Sequence, residues 1–286
     1  MCSSDLSPGI TMPPDWQLPR GVPRTLWDYL RDPDIARRYD TRLAGTPLLT
    51  LDLAFVRDHC RPPGRIADLG CGTGRLALSL AQHGYQPVAI DLSPEMLKVL
   101  GEKARTAGVD IPRLCANLVA LGCLDDRAFD HAACLFGTLG MIAGADARRT
   151  MIAHVFRILR PGGVFVLHVH NRWFNVWTRA GRRLLLGDIV GSWLGRRAPG
   201  DYEMPPHQGL GSLTMHLFTR REIVRLLRDA GFTIGAIRPV SLRDDGAVRM
   251  PWWFGPLRSY GYLIAARKPV PRESVLSRPP AAAPPC

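Results

Sequence analysis

Apolar positions in this chain follow two rhythms, short unbroken runs and helical spacings, and the two alternate over most of its length. The stretch 25–60 predicts helix, with Leu48, Leu49, Leu51, Leu53, Phe55 and Val56 as its apolar positions. Arg65–Leu69 then reads as a short strand entering a glycine turn, and Arg75 to His83 as a helix. Pro87–Asp91 is a second strand. Ser93 followed by Pro94 and Glu95 is an N-cap and first turn, opening a helix to about Thr106. Ile111–Ala116 and Phe129–Leu135 read as further strands. Met151, Ile152, Val155, Phe156 and Leu159 share one face of a helix over Asp146–Leu159, which Pro161-Gly162-Gly163 should end before the buried-type strand Val164–Val169.

Strands alternating with helices predict an α/β domain, a mostly parallel sheet with helices on both faces. After His170 the alternation lapses. It resumes at Thr219-Arg220-Arg221-Glu222, the pattern of a capping box, with a helix to Asp229, strands at Thr233–Ile237 and Tyr260–Ala266, and nothing repeated. The expected organisation is a loose lead-in over 1–24 and one domain over 25–268. That domain divides into an N-terminal helical cap (25–60), a cofactor-binding core (61–170), a lid insertion (171–212) and the C-terminal part of the sheet (213–268). The Pro- and Ala-rich segment 269–286 is expected to be a disordered tail.

Gly70-Cys71-Gly72-Thr73-Gly74 lies where a strand gives way to a helix, and glycines there let bare backbone approach a ligand. The spacing is G-x-G-x-G, not the G-x-G-x-x-G of pyrophosphate-binding turns. Asp68, two residues before Gly70, would repel a diphosphate but welcome an ammonium or sulfonium. Asp91 ends the next strand, where a carboxylate can accept from ribose hydroxyls.

From Ile66 to Lys268 the chain resembles the class I S-adenosylmethionine-dependent methyltransferases. The likeness rests on Ile66–Gly74, Ala89–Leu97, Phe129-Asp130-His131-Ala132 with Leu135–Leu139, Leu159–Gly163, and Phe218-Thr219 through Phe232. It implies a Rossmann-like, seven-stranded sheet whose last strand, Tyr260–Ala266, is antiparallel. It also implies S-adenosylmethionine as cofactor. Asp68 would organise the turn and the methionine amino group, and Gly70 and Gly72 would pass close to the methionine moiety, with Cys71 and Gly74 in the same turn. Asp91 would hold the ribose, Leu92 and Leu118 would pack near the adenine, and Leu135 would lie beside the sulfonium with Phe136. Asn117 stands where the family usually has an acid, and its amide oxygen can still accept from the adenine amino group. Ile35–Asp40 resembles the family's N-terminal helix, which makes Tyr39 a candidate contact for the methionine end.

The methyl acceptor is less legible. Leu135-Phe136-Gly137-Thr138 is not the Asn/Asp-Pro-Pro-aromatic run of adenine or glutamine amino methylation, and no Pro-Cys pair suggests covalent cytosine methylation. His170, at the carboxyl end of its strand, is the candidate general base. Phe136, Asn171 and Trp173 are candidate substrate contacts, and His207 and His216 are weaker ones. The aromatic and aliphatic residues of 171–212 are a cap's own core, a lid over a small, partly apolar molecule, or, with Arg179, Arg182 and Arg183, a face for an anionic membrane. A cavity above Phe136 and His170 closed by this segment would favour a small molecule. An arginine-lined groove would favour RNA.

Charge and cysteines adjust this picture only slightly. The formal net charge is +12, nearly all of it arginine, since lysine occurs only at Lys98, Lys103 and Lys268. Such usage fits a GC-rich genome, with an anionic macromolecule or membrane as the alternative. The seven cysteines form no Cys-x-x-Cys pair or zinc spacing, so no metal is expected, and a reducing cytoplasm fits best. No secretory signal and no spanning segment is visible. The leading expectation is O- or N-methylation of a small molecule. An RNA or protein methyltransferase and a non-catalytic cofactor-binding protein are the rivals.

Overall fold

The computed structural model describes residues 13–43, 48–195, 199–204, 213–242, 246, 248, 250 and 252–271. Three helices come first, α1 (Arg24–Arg31), α2 (Pro33–Leu43) and α3 (Leu48–His59). The core follows as β1 (Arg65–Leu69), α4 (Arg75–Ala81), β2 (Gln86–Asp91), α5 (Pro94–Thr106), β3 (Arg113–Cys115) and β4 (Phe129–Cys134). The short α6 (Thr138–Met141), α7 (Ala145–Ile158) and β5 (Leu159–His170) complete it. An insertion comprises the 3-10 turn Arg172–Trp177, α8 (Arg179–Trp193), β6 (Asp201–Met204) and β7 (Leu213–His216). The chain then returns through α9 (Arg220–Asp229), β8 (Thr233–Val240), α10 (Gly255–Arg258) and β9 (Gly261–Arg267).

The sheet has seven strands in the order β3-β2-β1-β4-β5-β9-β8. Strands β3 through β5 run parallel, and β9 is antiparallel to both neighbours. This is the Rossmann-like arrangement implied by the resemblance. Strand side chains alternate between faces. Ala67, Leu69, Phe165, Leu167 and Val169 join one core with Met151, Ile152 and Val155 of α7 and Leu227 of α9. Ile66, Val164 and Val166 face Leu51, Phe55 and Val56 of α3 and Leu76 of α4 on the other side. Both faces are covered, which is why these strands read as unbroken apolar runs. Chain order reverses between β1 and β4, so the loops leaving their carboxyl ends diverge and open a crevice.

Some boundaries differ from expectation. α7 ends at Ile158, and Pro161-Gly162-Gly163 lies inside β5, because Lys268 N–H donates to Gly163 O and Gly162 N–H to Lys268 O, extending the ladder. β7 pairs with β6 in a separate two-stranded sheet, so the insertion runs to His216 rather than 212, and 213–216 is no part of the main sheet. The lead-in is not loose from Pro13 onward. Gly21 O accepts from Ala143 N–H (2.9 Å), Arg20 O accepts from Asn117 Nδ2 (2.9 Å), and Val22 is buried with Leu26, Tyr29 and Met96. Its prolines restrict the unfolded chain and lower the entropy lost on docking. The lead-in's first twelve residues and tail residues 272–286 lie outside the described residues.

The insertion has its own small core of Leu185, Tyr202 and Met215, joined by Leu217 just after it. His216 fastens it to the domain, its Nδ1 2.6 Å from Asp201 and its Nε2 2.7 Å from Glu222, whose carboxylate also completes the capping box of α9. Burial pulls the His216 pKa down, but the bonds to Asp201 and Glu222 outweigh burial and the repulsion of Arg148, holding it above 6.5. A histidine with a raised folded pKa stabilises fully below its unfolded pKa and loses that contribution as pH rises through the folded value. The melting temperature should therefore fall as pH rises from 6.5 through the raised folded value. His216→Asn should flatten that slope in a series of thermal melts, and an unchanged slope would remove His216 from the clamp.

Candidate functional site

The carboxyl ends of β1, β2 and β4 border a cavity of about 340 Å³. The glycine turn forms its floor. Gly70, Gly72 and Gly74 all take positive φ (71°, 53° and 81°), which side-chain-bearing residues rarely adopt. They do different work. A Cβ on Gly72 would meet nothing closer than Tyr39 Cε1 at 3.6 Å, so the bare backbone there faces open cavity. A Cβ on Gly74 would lie 2.4 Å from Leu100 Cγ. That glycine does not line the cavity, contrary to expectation, but lets α4 pack on α5.

Asp68 and Asp91 are buried in the cavity wall. Burial raises the Asp68 pKa to about 7 against the opposing pull of Arg75, and one of its oxygens, Oδ2, has no partner. A buried carboxylate oxygen without a donor is costly, and a cationic ligand group would satisfy it. Asp91 accepts from Gly72 N–H through Oδ2 and from Ser93 N–H through Oδ1, both at 2.8 Å. Each oxygen keeps a second acceptor site, the pair a ribose diol needs. Burial raises the pKa of Asp91 as well, opposed by those backbone donors.

Among the expected cofactor residues, Tyr39, Asp68, Gly70, Cys71, Gly72, Asp91, Leu92, Asn117, Leu118 and Leu135 line the cavity together. Asn117 is partly committed elsewhere, since its Oδ1 accepts from Val119 N–H (3.0 Å) while its amide donates to Arg20 O. Tyr39, pushed by burial to about 12, is a neutral phenol. A cluster absent from the expectations pins its helix. Asp40 accepts from Thr73 Oγ1 (2.6 Å) and pairs with Lys103 Nζ (2.7 Å), which also donates to Thr73 O. The cavity roof was missed too. Val22, Leu26, Tyr29 and Leu30 supply it, carrying no motif that marks them as ligand-facing.

The acceptor residues fare differently. Phe136 lines the cavity, at positive φ (58°) and with the Arg75 guanidinium 5.5 Å from its ring centroid. His170 does not line it. Its ring packs over Gly137, where a Cβ would come within 2.5 Å, and against Tyr260. Burial and the neighbouring His168 push its pKa down to about 3, too acidic for an effective base near neutrality. Asn171 is a buried brace: its amide donates to Pro256 O and Ser259 O, and its oxygen caps Trp173 N–H. Trp173 stacks near the Arg172 guanidinium, outside the cavity lining. His207 lies outside the described residues, and His216 is the clamp described above. Among the described residues the cavity takes no wall from the insertion. It is covered instead by residues between Gly21 and Asp40. The insertion acts indirectly, since Met141 lines the cavity while also packing on the cluster of Leu185, Tyr202 and Met215.

Comparison with known proteins agrees with this geometry. Residues 66–163 match the family model described as a methyltransferase domain. A ubiquinone biosynthesis O-methyltransferase from Xanthomonas axonopodis pv. citri is 31% identical over 121 residues, covering 42% of this chain and 49% of the relative. A demethylmenaquinone methyltransferase from Thermus thermophilus is 36% identical over 119 residues, covering 41% and 50%. The chain thus spans about half the length of the curated relatives it matches. Among solved structures, a methyltransferase from Methanosarcina mazei superposes with a TM-score of 0.62 at 24% identity, covering 76% of this chain and 97% of the other. A 1,6-didemethyltoxoflavin-N1-methyltransferase from Burkholderia thailandensis gives 0.56 at 20% identity, covering 88% and 92%. These two show the shared fold. Fold and glycine turn together are those of the Rossmann-like methyltransferases to which the chain is similar. The similarity is carried by residues 66–163, the stretch that matches a methyltransferase domain.

Proposed function

We propose that this chain transfers a methyl group from S-adenosylmethionine to an oxygen or nitrogen of a small, partly apolar molecule. The observation that carries the reading is the pair of buried carboxylates in one cavity, Asp68 with an unpartnered oxygen and Asp91 with spare acceptor sites. Asp68 would accept from the ligand's ammonium and Asp91 from its ribose hydroxyls. Gly70, Cys71 and Gly72 would offer bare backbone to the methionine portion, with Tyr39 over it. Leu92, Asn117 and Leu118 would surround the adenine, and Leu135 and Phe136 would flank the sulfonium. The donor supplies an electrophilic methyl group, and this chain's residues position the acceptor for in-line displacement. The described cavity-lining residues include no histidine, and Asp68 is engaged by the ligand's ammonium in this reading, so an acceptor that arrives neutral or already ionised suits the site. The apolar lining, with Val22, Leu26, Met141 and Ile142, supports a partly apolar acceptor. Free thiols at Cys60, Cys71 and Cys134 suit a reducing compartment such as the cytoplasm.

Incubation with methyl-labelled S-adenosylmethionine and a fractionated cell extract tests the proposal. Label should enter the organic-extractable, low-molecular-mass fraction. Label confined to RNA or protein would make the chain a macromolecule methyltransferase, and no transfer despite tight binding would make it a non-catalytic binder.

A proton linkage accompanies the same reading. With Asp68 at about pKa 7 in the free protein, an arriving ammonium favours the carboxylate and lowers that pKa. Binding near pH 7 should therefore release a proton, visible as binding heats that vary with buffer ionisation enthalpy. Asp68→Asn should abolish that variation. Heats independent of buffer in the unsubstituted protein would contradict it.

A further inference from the structure

Helix α8 is turned inside out. Its buried positions are Gly181, Leu185 and Asp188, whereas Leu186, Ile189, Val190 and Trp193 are 62%, 52%, 54% and 85% exposed. These four recur at helical spacing and form one outward stripe. Its only acid, Asp188, points inward to Arg172, Tyr202 Oη and Gly200 N–H, so the outward face carries no negative charge. Arg179, Arg182 and Arg183 continue the stripe towards the helix N-terminus and are exposed. Basic residues oppose the helix dipole there, so helix stability does not account for them. A second apolar element is tethered to the same 3-10 turn. Trp252, Trp253 and Phe254, all exposed, precede α10, and Trp177 Nε1 donates to Leu257 O.

We propose that the outward face of α8 docks on an anionic lipid bilayer. Leucine, isoleucine, valine and tryptophan would enter the interfacial region, while the long arginine stems lie along it and hold their guanidinium groups at the headgroup phosphates. Charge complementarity selects this occupant. Two copies of the face would bring like arginine clusters together, whereas a lipid surface rich in negative headgroups attracts them. No helix among the described residues is long and apolar enough to cross a membrane, so the contact is peripheral. The proposal does not rest on methyl transfer, and its test needs neither cofactor nor methyl acceptor.

The full chain is sedimented with vesicles of phosphatidylcholine alone and with vesicles also containing phosphatidylglycerol. Binding is expected to the anionic vesicles and to weaken as salt rises. Trp193→Ser should lower the partition coefficient about tenfold. The combined Arg179→Gln, Arg182→Gln, Arg183→Gln variant should lower it about a hundredfold. A cooperative thermal melt with the unsubstituted midpoint would show that each variant is folded, and Leu186→Gln serves where one is not. No vesicle binding, or equal binding by all variants, overturns the proposal. So does a dimer that Trp193→Ser dissociates, which would give the face to a second copy. Binding to an RNA homopolymer that Trp193→Ser leaves unchanged, without vesicle binding, would likewise replace lipid with nucleic acid.

Discussion

Replacing Asp91 with alanine is expected to weaken S-adenosylmethionine binding about a hundredfold. Hydrogen bonds to a charged group contribute roughly 1.5–3 kcal/mol each, and about 1.4 kcal/mol is tenfold in affinity. Two bonds from a ribose diol account for a loss of that size. The Asp91 carboxylate also fixes the turn from beneath through Gly72 N–H and Ser93 N–H, so its removal loosens the floor as well as the ligand. Asp91→Asn keeps one acceptor oxygen and should lose only about tenfold. Isothermal titration distinguishes the two. An alanine variant with full affinity would mean that Asp91 serves the loop alone.

The second large effect lies in the insertion. Asp188 is fully buried, accepts from Tyr202 Oη (3.0 Å) and Gly200 N–H (3.1 Å), and pairs with Arg172. Its replacement by alanine strands the Arg172 guanidinium and leaves two donors unpaired. Removing one partner of a buried ion pair costs about 3–5 kcal/mol. The insertion's core of Leu185, Tyr202 and Met215, with Leu217 just after it, is too small to absorb such a loss. Asp188→Ala should therefore release α8 to limited proteolysis at a temperature where the unsubstituted protein resists. Binding of S-adenosylhomocysteine should survive within a few-fold, because no described residue of the insertion lines the cavity. Resistance to proteolysis would refute the assigned role of Asp188. Loss of ligand binding would show that the insertion supports the cavity strongly through Met141 and through Leu213, which packs with Val22, Leu26 and Tyr29 of the roof.

How much of this was legible in the sequence depends on how local each cause is. β1, the glycine turn and α4 were readable, because the turn's backbone conformation is dictated by the glycines within it. The Ser93 cap and the Thr219–Glu222 box were readable for the same reason. His170 was not. Its strand position was right, but two consecutive positive-φ residues, Phe136 and Gly137, let its ring settle over the backbone, away from the cavity. Asn171 occupied the expected strand end, yet backbone carbonyls of Pro256 and Ser259, far along the chain, claim its amide. The roof escaped notice because Leu26, Tyr29 and Leu30 of α1 belong to no motif, and Val22 ends the proline-rich stretch 13–23 with few apolar side chains. The order of that stretch comes from distant partners, Ala143 on Gly21 and Asn117 on Arg20, which no local pattern encodes.

S-adenosylmethionine and S-adenosylhomocysteine, titrated into the full chain, should each bind at one site per chain, and a nicotinamide dinucleotide should not. Failure of both to bind, together with saturable binding of the dinucleotide, would contradict the assigned cofactor.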